Sequence, residues 1–400
     1  MSETADTSTL EDATEESAAA PGKRRATFNT LTVSDVRKLT SDAVEVTFEV
    51  PEDLVADYDY LPGQYVAIRA QINGHEVRRS YSICADPTPG EIRVAIKKDM
   101  GGVFSTWANE QLAAGDALDV MNPQGAFTSK VNITSMNDPE KLAEREVAKK
   151  RNVHLVAFAA GSGITPIMAI ARALLRASDT AAVDVIYANR SSMDVMFAEE
   201  LGDLKDKYPA RLAVHHVLSR EQRISPLMSG RIDHDKLEEL LDHVIQVDSA
   251  DEWFLCGPFE LVQLCRDVLK ERGVDESRVR FELFTTGKPT TPQGQQGRAV
   301  KADPKGENYT IVFNLDGTSA QVDSPKSAQE TVLNAALRVR PDVPFACAGG
   351  VCGTCRAKVT SGEFEMEENF ALEKDELDAG YVLTCQTRPT SDRLSVDFDA

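Results

Sequence analysis

No uninterrupted apolar stretch of this 400-residue chain is long enough for a bilayer-spanning helix. A secretory signal is lacking as well. Residues 1–21 are rich in Glu, Asp, Ser, Thr and Ala, with neither a basic start nor an apolar run. That stretch is too acidic for a typical transit peptide, so a cytoplasmic location and no membrane association are expected. Positive charge is scarce: 44 Lys and Arg stand against 64 Asp and Glu, a net charge of −20. Gripping the phosphates of a nucleic acid needs the opposite sign, so no nucleic-acid partner is expected. The acidity suits solubility and permits steering towards a basic partner protein. A disulfide framework is missing too, because the seven cysteines are odd in number and unevenly spread. Internal repeats are absent, which excludes a solenoid.

What remains is an ordinary globular composition, 42% hydrophobic and 27% charged, in a chain long enough for two or three domains. The acidic leader, residues 1–26, has too little apolar surface to offset its ordering entropy and is expected to be disordered. Residues 27–130 carry short β-branched runs such as "AVEVTFEV", "QYVAIRAQI" and "EIRVAIKK", separated by Pro62-Gly63, Asn73-Gly74 and Pro89-Gly90. Strands this short and closely spaced predict an antiparallel β-barrel. A charged connector, roughly Ser129 to Lys150, leads into residues 151–284, where apolar strands alternate with helical patterns. Helices are expected from Thr165-Pro166, around Met193 to Lys207, and over "FELVQLCRDVLKERG". Such alternation implies an α/β doubly wound domain on a parallel sheet. Residues 285–304 are polar and rich in Gly, Pro, Gln and Thr, as a flexible linker would be. The last segment, 305–400, opens with a hairpin at Asp316-Gly317, continues with a helix near Gln329 to Leu337, and reaches a cysteine loop.

That loop reads Cys347-Ala-Gly-Gly-Val-Cys352-Gly-Thr-Cys355, with Cys385 as a distant fourth thiol. C-x4-C-x2-C followed by a remote cysteine is the plant-type spacing for a [2Fe–2S] cluster, which needs four thiolates. The small residues between let the backbone curl closely round the sulfides and aim N–H groups at them. The same four thiols could hold zinc, but zinc sites usually pair two C-x2-C units, and only Cys352 and Cys355 form one. Cys265 lies in an amphipathic helical pattern and reads as core.

Two further motif sets point to bound nucleotides. In Arg79-Ser80-Tyr81-Ser82, alternation puts Arg79 and Tyr81 on one side of a strand and both serines on the other. Arg can clamp a phosphate, and Tyr offers a ring and a hydroxyl to a flavin. Gly101-Gly102-Val103-Phe104-Ser105 opens a helix whose exposed N–H groups suit a pyrophosphate. Gly161-Ser-Gly163-Ile-Thr165-Pro166 follows a buried strand, with Thr165 expected as the helix N-cap and Pro166 in the first helical position. Cys256-Gly257-Pro258 ends another strand, where ligands gather in such sheets. Each also reads as plain structure when taken alone: a helix start, a Gly turn, a strand-end thiol.

In this order the motifs resemble the ferredoxin–NADP reductase superfamily, whose flavin motif is R-x-Y-S; the likeness covers Thr27 to Phe284. It implies that Arg79 binds the flavin phosphate, that Tyr81 packs on the isoalloxazine, and that Ser82 lies near its reactive nitrogen. Gly102, Val103, Phe104 and Ser105 would cradle the pyrophosphate, implying FAD. Gly161, Gly163, Gly257 and Pro258 would meet the pyridine nucleotide, with Thr165 close to the flavin and Cys256 beside the reactive carbon. Phe284 would cover the flavin and Glu282 would be an active-site carboxylate. Ser219-Arg220-Glu-Gln matches the stretch with which plant-type reductases hold the 2′-phosphate, and Arg190 adds a cation, so NADPH is the implied coenzyme.

The fused C-terminal segment implies an α+β β-grasp ferredoxin domain, in an arrangement similar to the reductase components of oxygenase systems. "FACAGGVCGTCRAKVTSGEFEMEENFALEKDELDAGYVLTCQTRP" and the ending "LSVDFDA" resemble the phenylacetyl-CoA epoxidase reductases before the 3-ketosteroid 9α-hydroxylase reductases. The likeness implies an NAD(P)H-dependent oxidoreductase whose cluster docks on a di-iron oxygenase. Glu363, Glu365, Glu367 and Glu368 are candidates for steering that docking. A Rieske oxygenase partner, a free-standing diaphorase, and a carrier with a degenerate flavin site are the alternatives.

Overall fold

The computed structural model describes residues 27–99, 101–130, 152–285, 306–315, 317–340, 343, 345, 350, 353–369, 372 and 374–400. The leader, almost all of the connector and linker, and Cys347 and Cys352 lie outside the described residues.

The first module contains β1 (Phe28–Thr40), β2 (Ala43–Glu49), β3 (Tyr65–Ile72), β4 (His75–Ser82), β5 (Glu91–Lys97), α1 (Val103–Glu110) and β6 (Ala117–Met121). Its strands pair antiparallel in the order β4-β3-β6-β1-β2-β5. A bridge from Ile83 to Val94 and a bond from the Cys84 N–H to the Arg93 carbonyl draw the two edge strands together into a nearly closed barrel. Asn73 and Gly74 both have positive φ, 53° and 79°, the turn whose twist matches a two-residue hairpin. Val46, Phe48, Val66, Ile68, Val94 and Val120 fill the interior with Phe104 and Ala108 of α1.

The second module runs β7 (His154–Ala160), α2 (Ile164–Ala177), β8 (Ala182–Asn189), α3 (Ala198–Lys207), β9 (Leu212–Leu218), α4 (His234–His243), β10 (Glu252–Pro258), α5 (Phe259–Glu271) and β11 (Val279–Thr285). All five strands are parallel, in the order β11-β10-β7-β8-β9. Strand order reverses between β7 and β10, and that opens a crevice at their carboxyl ends. Trp253, Phe254, Leu255 and Cys256 are buried in succession, as expected of a strand covered on both faces. Cys265 is buried in α5, as the helical pattern implied.

Three helix starts differ from expectation. Thr165 is not the N-cap of α2. A tight turn over Gly161–Gly163, entered with φ +54° at Gly161, runs straight into the helix, so the cap is Gly163. The Thr165 hydroxyl instead donates to the Ser162 carbonyl at 3.0 Å. The helix expected from Met193 is broken by Phe197 at φ +59° and begins at Ala198. Near the C-terminus, Gln329 at φ +48° ends a short turn, and the helix starts after a Thr331 cap. The sequence reading assigned no element where α4 lies. Its signals are an Asp233 cap accepting from the Lys236 N–H at 3.0 Å and the buried stripe Leu237, Leu240 and Leu241.

The third module comprises β12 (Asn308–Leu315), β13 (Thr318–Pro325), α6 (Val332–Leu337), β14 (Arg356–Ser361), β15 (Phe364–Met366), α7 (Lys374–Asp378), β16 (Tyr381–Leu383), β17 (Thr387–Pro389) and β18 (Arg393–Asp397). Its main sheet is mixed, ordered β13-β12-β18-β14-β16 with β12 and β18 parallel, and α6 buries Val332, Leu333, Ala335 and Ala336 against it. This is the expected β-grasp.

The modules are joined unequally. Ala43, Cys84, Ala95 and Phe127 of the barrel belong to the same buried cluster as Leu155, Met168 and Phe254 of the α/β module. The Phe127 and Phe254 rings meet edge to face with centroids 5.1 Å apart. Ion pairs add to the seam: Arg176 with Asp86 at 2.8 Å, Arg190 with Asp42 at 3.2 Å, and Arg37 with Glu200. The ferredoxin module has its own core, which among the described residues includes none from the other two. Phe127→Ala should therefore cost about 3 kcal/mol and split a shared barrel–α/β melting transition into two. Calorimetry would check this, and an unchanged single transition would contradict a shared core.

Candidate redox site where three modules meet

The flavin motif sits in β4 as alternation requires. Arg79 and Tyr81 lie across from Ile68 and Val66 on one face, and Ser80 and Ser82 lie across from Ala67 and Tyr65 on the other. The Tyr81 ring rests 5.6 Å from Phe104, which in turn meets Trp107 edge-on at 5.7 Å. Burial pushes the Tyr81 hydroxyl above its ordinary pKa, so it stays a neutral donor. Nearby, Gly101 has φ +76° and Gly102 caps α1 without a side chain, leaving the first-turn amides open. A Cβ on Gly102 would come within 2.5 Å of the Ser105 hydroxyl, so the loop is closed tightly round a glycine. Ser105 accepts from the Asp99 N–H at 3.0 Å and ties the loop to β5's end. Val103 is exposed and Phe104 is buried. An orphaned polar atom, the buried Ser80 hydroxyl oxygen, has no partner among the described residues. Open amides, the tight glycine and this hydroxyl all fit a bound phosphate-bearing flavin.

Across the crevice, Gly163 packs so closely that a Cβ would lie 2.1 Å from the Cys256 carbonyl oxygen, and a Cβ on Gly257 would lie 3.0 Å from that of Ala160. Gly161 accepts from the Tyr187 hydroxyl at 3.0 Å. Close approach of these backbones leaves the ends of β7 and β10 open to a ligand, with Pro258 exposed at the rim. Register sets Cys256 beside Glu282 in β11. Ser82 donates to Glu282 at 3.4 Å across the module boundary. Ser82, Glu282 and Cys256 are therefore brought together although they come from two modules. Crowding by protein strips water from the Glu282 carboxyl and raises its pKa to about 7, partly offset by the Ser82 bond. Burial likewise pushes the Cys256 thiol well above its ordinary range, so it is not a thiolate. Phe284, two residues on, is 37% exposed.

At the far end of the sheet, the Arg220 N–H donates to the Arg190 carbonyl at 2.7 Å and the Ser219 N–H to that of Asn189 at 2.9 Å, so the ends of β8 and β9 are stitched together. The Arg190 guanidinium is engaged by Asp42 and Asp194. Arg220 is exposed and makes no ion pair with the described residues. Glu221, in the same stretch, accepts from both the backbone N–H and the hydroxyl of Ser192, at 2.6 and 2.8 Å. Those donors hold its carboxyl below the usual range.

Of the four cysteines expected to hold the cluster, Cys355 and Cys385 are described, and both are buried. They are coupled through Thr384, whose N–H and hydroxyl donate to the Cys355 carbonyl at 3.1 and 2.8 Å. Gly350 and Gly353 take positive φ, 77° and 67°, the curl that the small loop residues implied. The donor set fits a thiolate-bound cluster. Next to Cys355, Thr354 meets the hydroxyl of Tyr65 at 3.1 Å. Tyr65 is the cross-strand partner of Ser82. The three modules thus converge on one residue pair, a contact sequence reasoning missed because its partners lie 289 positions apart.

Comparison with known proteins agrees with this architecture. Residues 30–129 match the oxidoreductase FAD-binding domain, 158–267 the oxidoreductase NAD-binding domain, and 313–390 the 2Fe-2S iron-sulfur cluster binding domain. The chain is 41% identical over 374 residues to a subunit of the 1,2-phenylacetyl-CoA epoxidase of Escherichia coli (strain K12), covering 94% of this chain and 98% of that one. It is 32% identical to the ferredoxin reductase component of the 3-ketosteroid-9-alpha-monooxygenase of Rhodococcus rhodochrous, over 92% of this chain and 96% of that one. Phthalate dioxygenase reductase shares the fold, with a TM-score of 0.55 at 21% identity, over 93% of this chain and 98% of that structure. The chain therefore belongs to the family of oxygenase reductase components, typified by that epoxidase polypeptide, in which FAD-binding, NAD-binding and 2Fe-2S cluster-binding domains follow one another in a single chain.

Proposed function

We propose that this protein passes electrons from NADPH through FAD and a [2Fe–2S] cluster to a di-iron oxygenase that epoxidises the ring of phenylacetyl-CoA in the cytoplasm. The observation that carries the electron order is the convergence of Ser82, Glu282 and Thr354 on one end of the barrel. The choice of oxygenase rests on the higher identity to the epoxidase polypeptide, 41% against 32% for the steroid monooxygenase component. Both readings are reductases, and the diaphorase alternative lacks a use for the C-terminal module.

When bound, FAD accepts a hydride and hands its electrons on singly, a conversion that the cofactor supplies and the protein positions. Arg79 holds the flavin phosphate; Gly102, Val103, Phe104 and Ser105 close round the pyrophosphate; Tyr81 and Phe284 flank the ring. Gly161, Gly163, Thr165, Gly257 and Pro258 shape the crevice for the nicotinamide half of the coenzyme. Cys256, a neutral thiol, fills the space beside the reacting carbon and excludes water. Cys347, Cys352, Cys355 and Cys385 ligate the two irons.

Proton balance gives Glu282 its role. Each hydride brings two electrons and one proton, and only the electrons leave through the cluster. One proton must therefore be released per hydride. The Glu282 carboxylate, linked to the Ser82 hydroxyl, is placed to take it up and pass it to solvent. This works only when Glu282 is ionised, that is, above about pH 7.

At the ribose end, Arg220 and Ser219 receive the 2′-phosphate, with Arg190 less available because of its two acidic partners. Glu221 on Ser192 favours the second reading, NADH, since a carboxylate there repels a phosphate and suits a ribose diol. On the ferredoxin module, Glu363, Glu365 and Glu368 form an acidic rim for a basic oxygenase surface, with Glu367 already paired to Arg388.

Three outcomes are expected. Cys355→Ser should abolish cytochrome c reduction yet largely spare NADPH-driven ferricyanide reduction; equal loss of both at unchanged flavin content would contradict the electron order. In Glu282→Gln, the fall in turnover as pH drops through about 7 should flatten, as followed by a pH–rate profile against wild type. Arg220→Ala should raise KM for NADPH roughly tenfold or more, the worth of a charge-assisted phosphate contact, while leaving KM for NADH unchanged. An equal change for both coenzymes would favour NADH as the natural donor.

A further inference from the structure

We infer that Tyr65 is a positioning residue, a latch whose hydroxyl seats the cluster-bearing module on the flavin barrel and so sets the rate at which electrons reach the cluster. The inference rests on the electron order proposed above and adds the residue that controls its second step.

Tyr65 opens β3, where residues alternate between the barrel interior and its outer face. Val66 and Ile68 point into the interior cluster, whereas Tyr65 and Ala67 belong to a separate small cluster with Met121 and Phe28. An outward tyrosine would ordinarily be wet, yet Tyr65 is only 6% exposed. One cover is the turn at Gly125, where a Cβ would lie 2.9 Å from the Tyr65 ring, so only glycine lets the ring seat there. Backbone bonds between Tyr65 and Gln124, at 2.8 and 2.9 Å, pin that turn in place. The hydroxyl is thereby aimed at the Thr354 hydroxyl, 3.1 Å away and one residue from Cys355.

The remaining attachments make this bond matter. Among the described residues the barrel and α/β modules share a buried core and three ion pairs, whereas the ferredoxin core takes no residue from either. A module held in that way can leave, and this one has to: Thr354, beside Cys355, meets the barrel, and an oxygenase must reach the same end of the module to be reduced. Each docking moves one electron from barrel to cluster, so a hydride needs two dockings, with its proton left on the barrel side. A hydroxyl–hydroxyl bond is strong enough to help orient the encounter and weak enough to release it.

The test uses the holoenzyme carrying Tyr65→Phe, which keeps the ring against Gly125 and removes only the hydroxyl. Stopped-flow mixing with NADPH should show cluster reduction slowed about five- to tenfold, the usual worth of one hydrogen bond, with flavin reduction and ferricyanide turnover unchanged. Small-angle scattering should show a larger radius of gyration, a readout independent of activity. Thr354→Ser should behave as wild type, Thr354→Val should match Tyr65→Phe, and the double variant should be no slower than either single one. Unchanged cluster reduction and scattering in Tyr65→Phe would overturn the latch, as would an equal fall in both activities with loss of flavin, the mark of a merely structural ring. Should wild-type flavin fail to accept electrons from NADPH or NADH, the electron order itself is wrong, while the scattering comparison still reads the latch.

Discussion

The antiparallel register that sets Tyr65 opposite Ser82 is the constraint on which the rest of the molecule depends. Side chains in a strand alternate with a period of two, so a slip of one residue would send Ser82 inward and leave Glu282 without its partner. The Asn73-Gly74 turn at one end and the Gln124 bonds at the other hold the pairing. The apolar face made by Val66, Ile68 and Val120 penalises any shift, because slippage would move all of them into water at once. Electron transfer thus inherits its precision from an ordinary packing preference.

From that fixed pair the modules differ in how firmly they are held, and the difference matches what each must do. Hydride transfer needs two rings in a set geometry, and the barrel and α/β modules meet through buried aromatic and aliphatic side chains that do not slide. Single-electron transfer tolerates more distance and requires a carrier that serves two sites. Among the described residues the ferredoxin module accordingly keeps its core to itself, built between its short helix and mixed sheet.

Much of this was legible in the sequence, for reasons that vary by feature. The C-x4-C-x2-C spacing of Cys347, Cys352 and Cys355 pointed to the 2Fe-2S domain that residues 313–390 match, because such a motif is local in sequence. Barrel and doubly wound sheet were legible through periods of two and of 3.6, which burial imposes on any chain. Helix starts were less legible: Phe197 and Gln329 take left-handed conformations that side-chain chemistry does not advertise, and Thr165 looks like a cap yet lies inside its helix. The roles proposed for Glu282 and Cys256 come from resemblance, since a strand end reads the same with or without a ligand. Tyr65 and Thr354 were hidden altogether, because nothing local in either tells of a partner 289 residues away.

Charge is distributed in a way that follows from the same division of labour. Where the nicotinamide and flavin would meet, the titratable groups Tyr81 and Cys256 are kept neutral by burial, and Glu282 is poised near neutrality. A carboxylate or thiolate fixed there would act through a low dielectric and oppose any change of charge on the reacting rings. At the rim the pattern reverses: Arg190 is paired with Asp42 and Asp194, Arg220 is exposed, and Ser192 holds the Glu221 carboxyl below its usual range, so charge gathers away from the buried groups. Glu282, the carboxyl that burial brings to a pKa of about 7, is also the group to which the proposed proton release is assigned. On that proposal, a neutral interior with one adjustable carboxyl would release a proton per hydride without storing a charge that the next hydride would have to overcome.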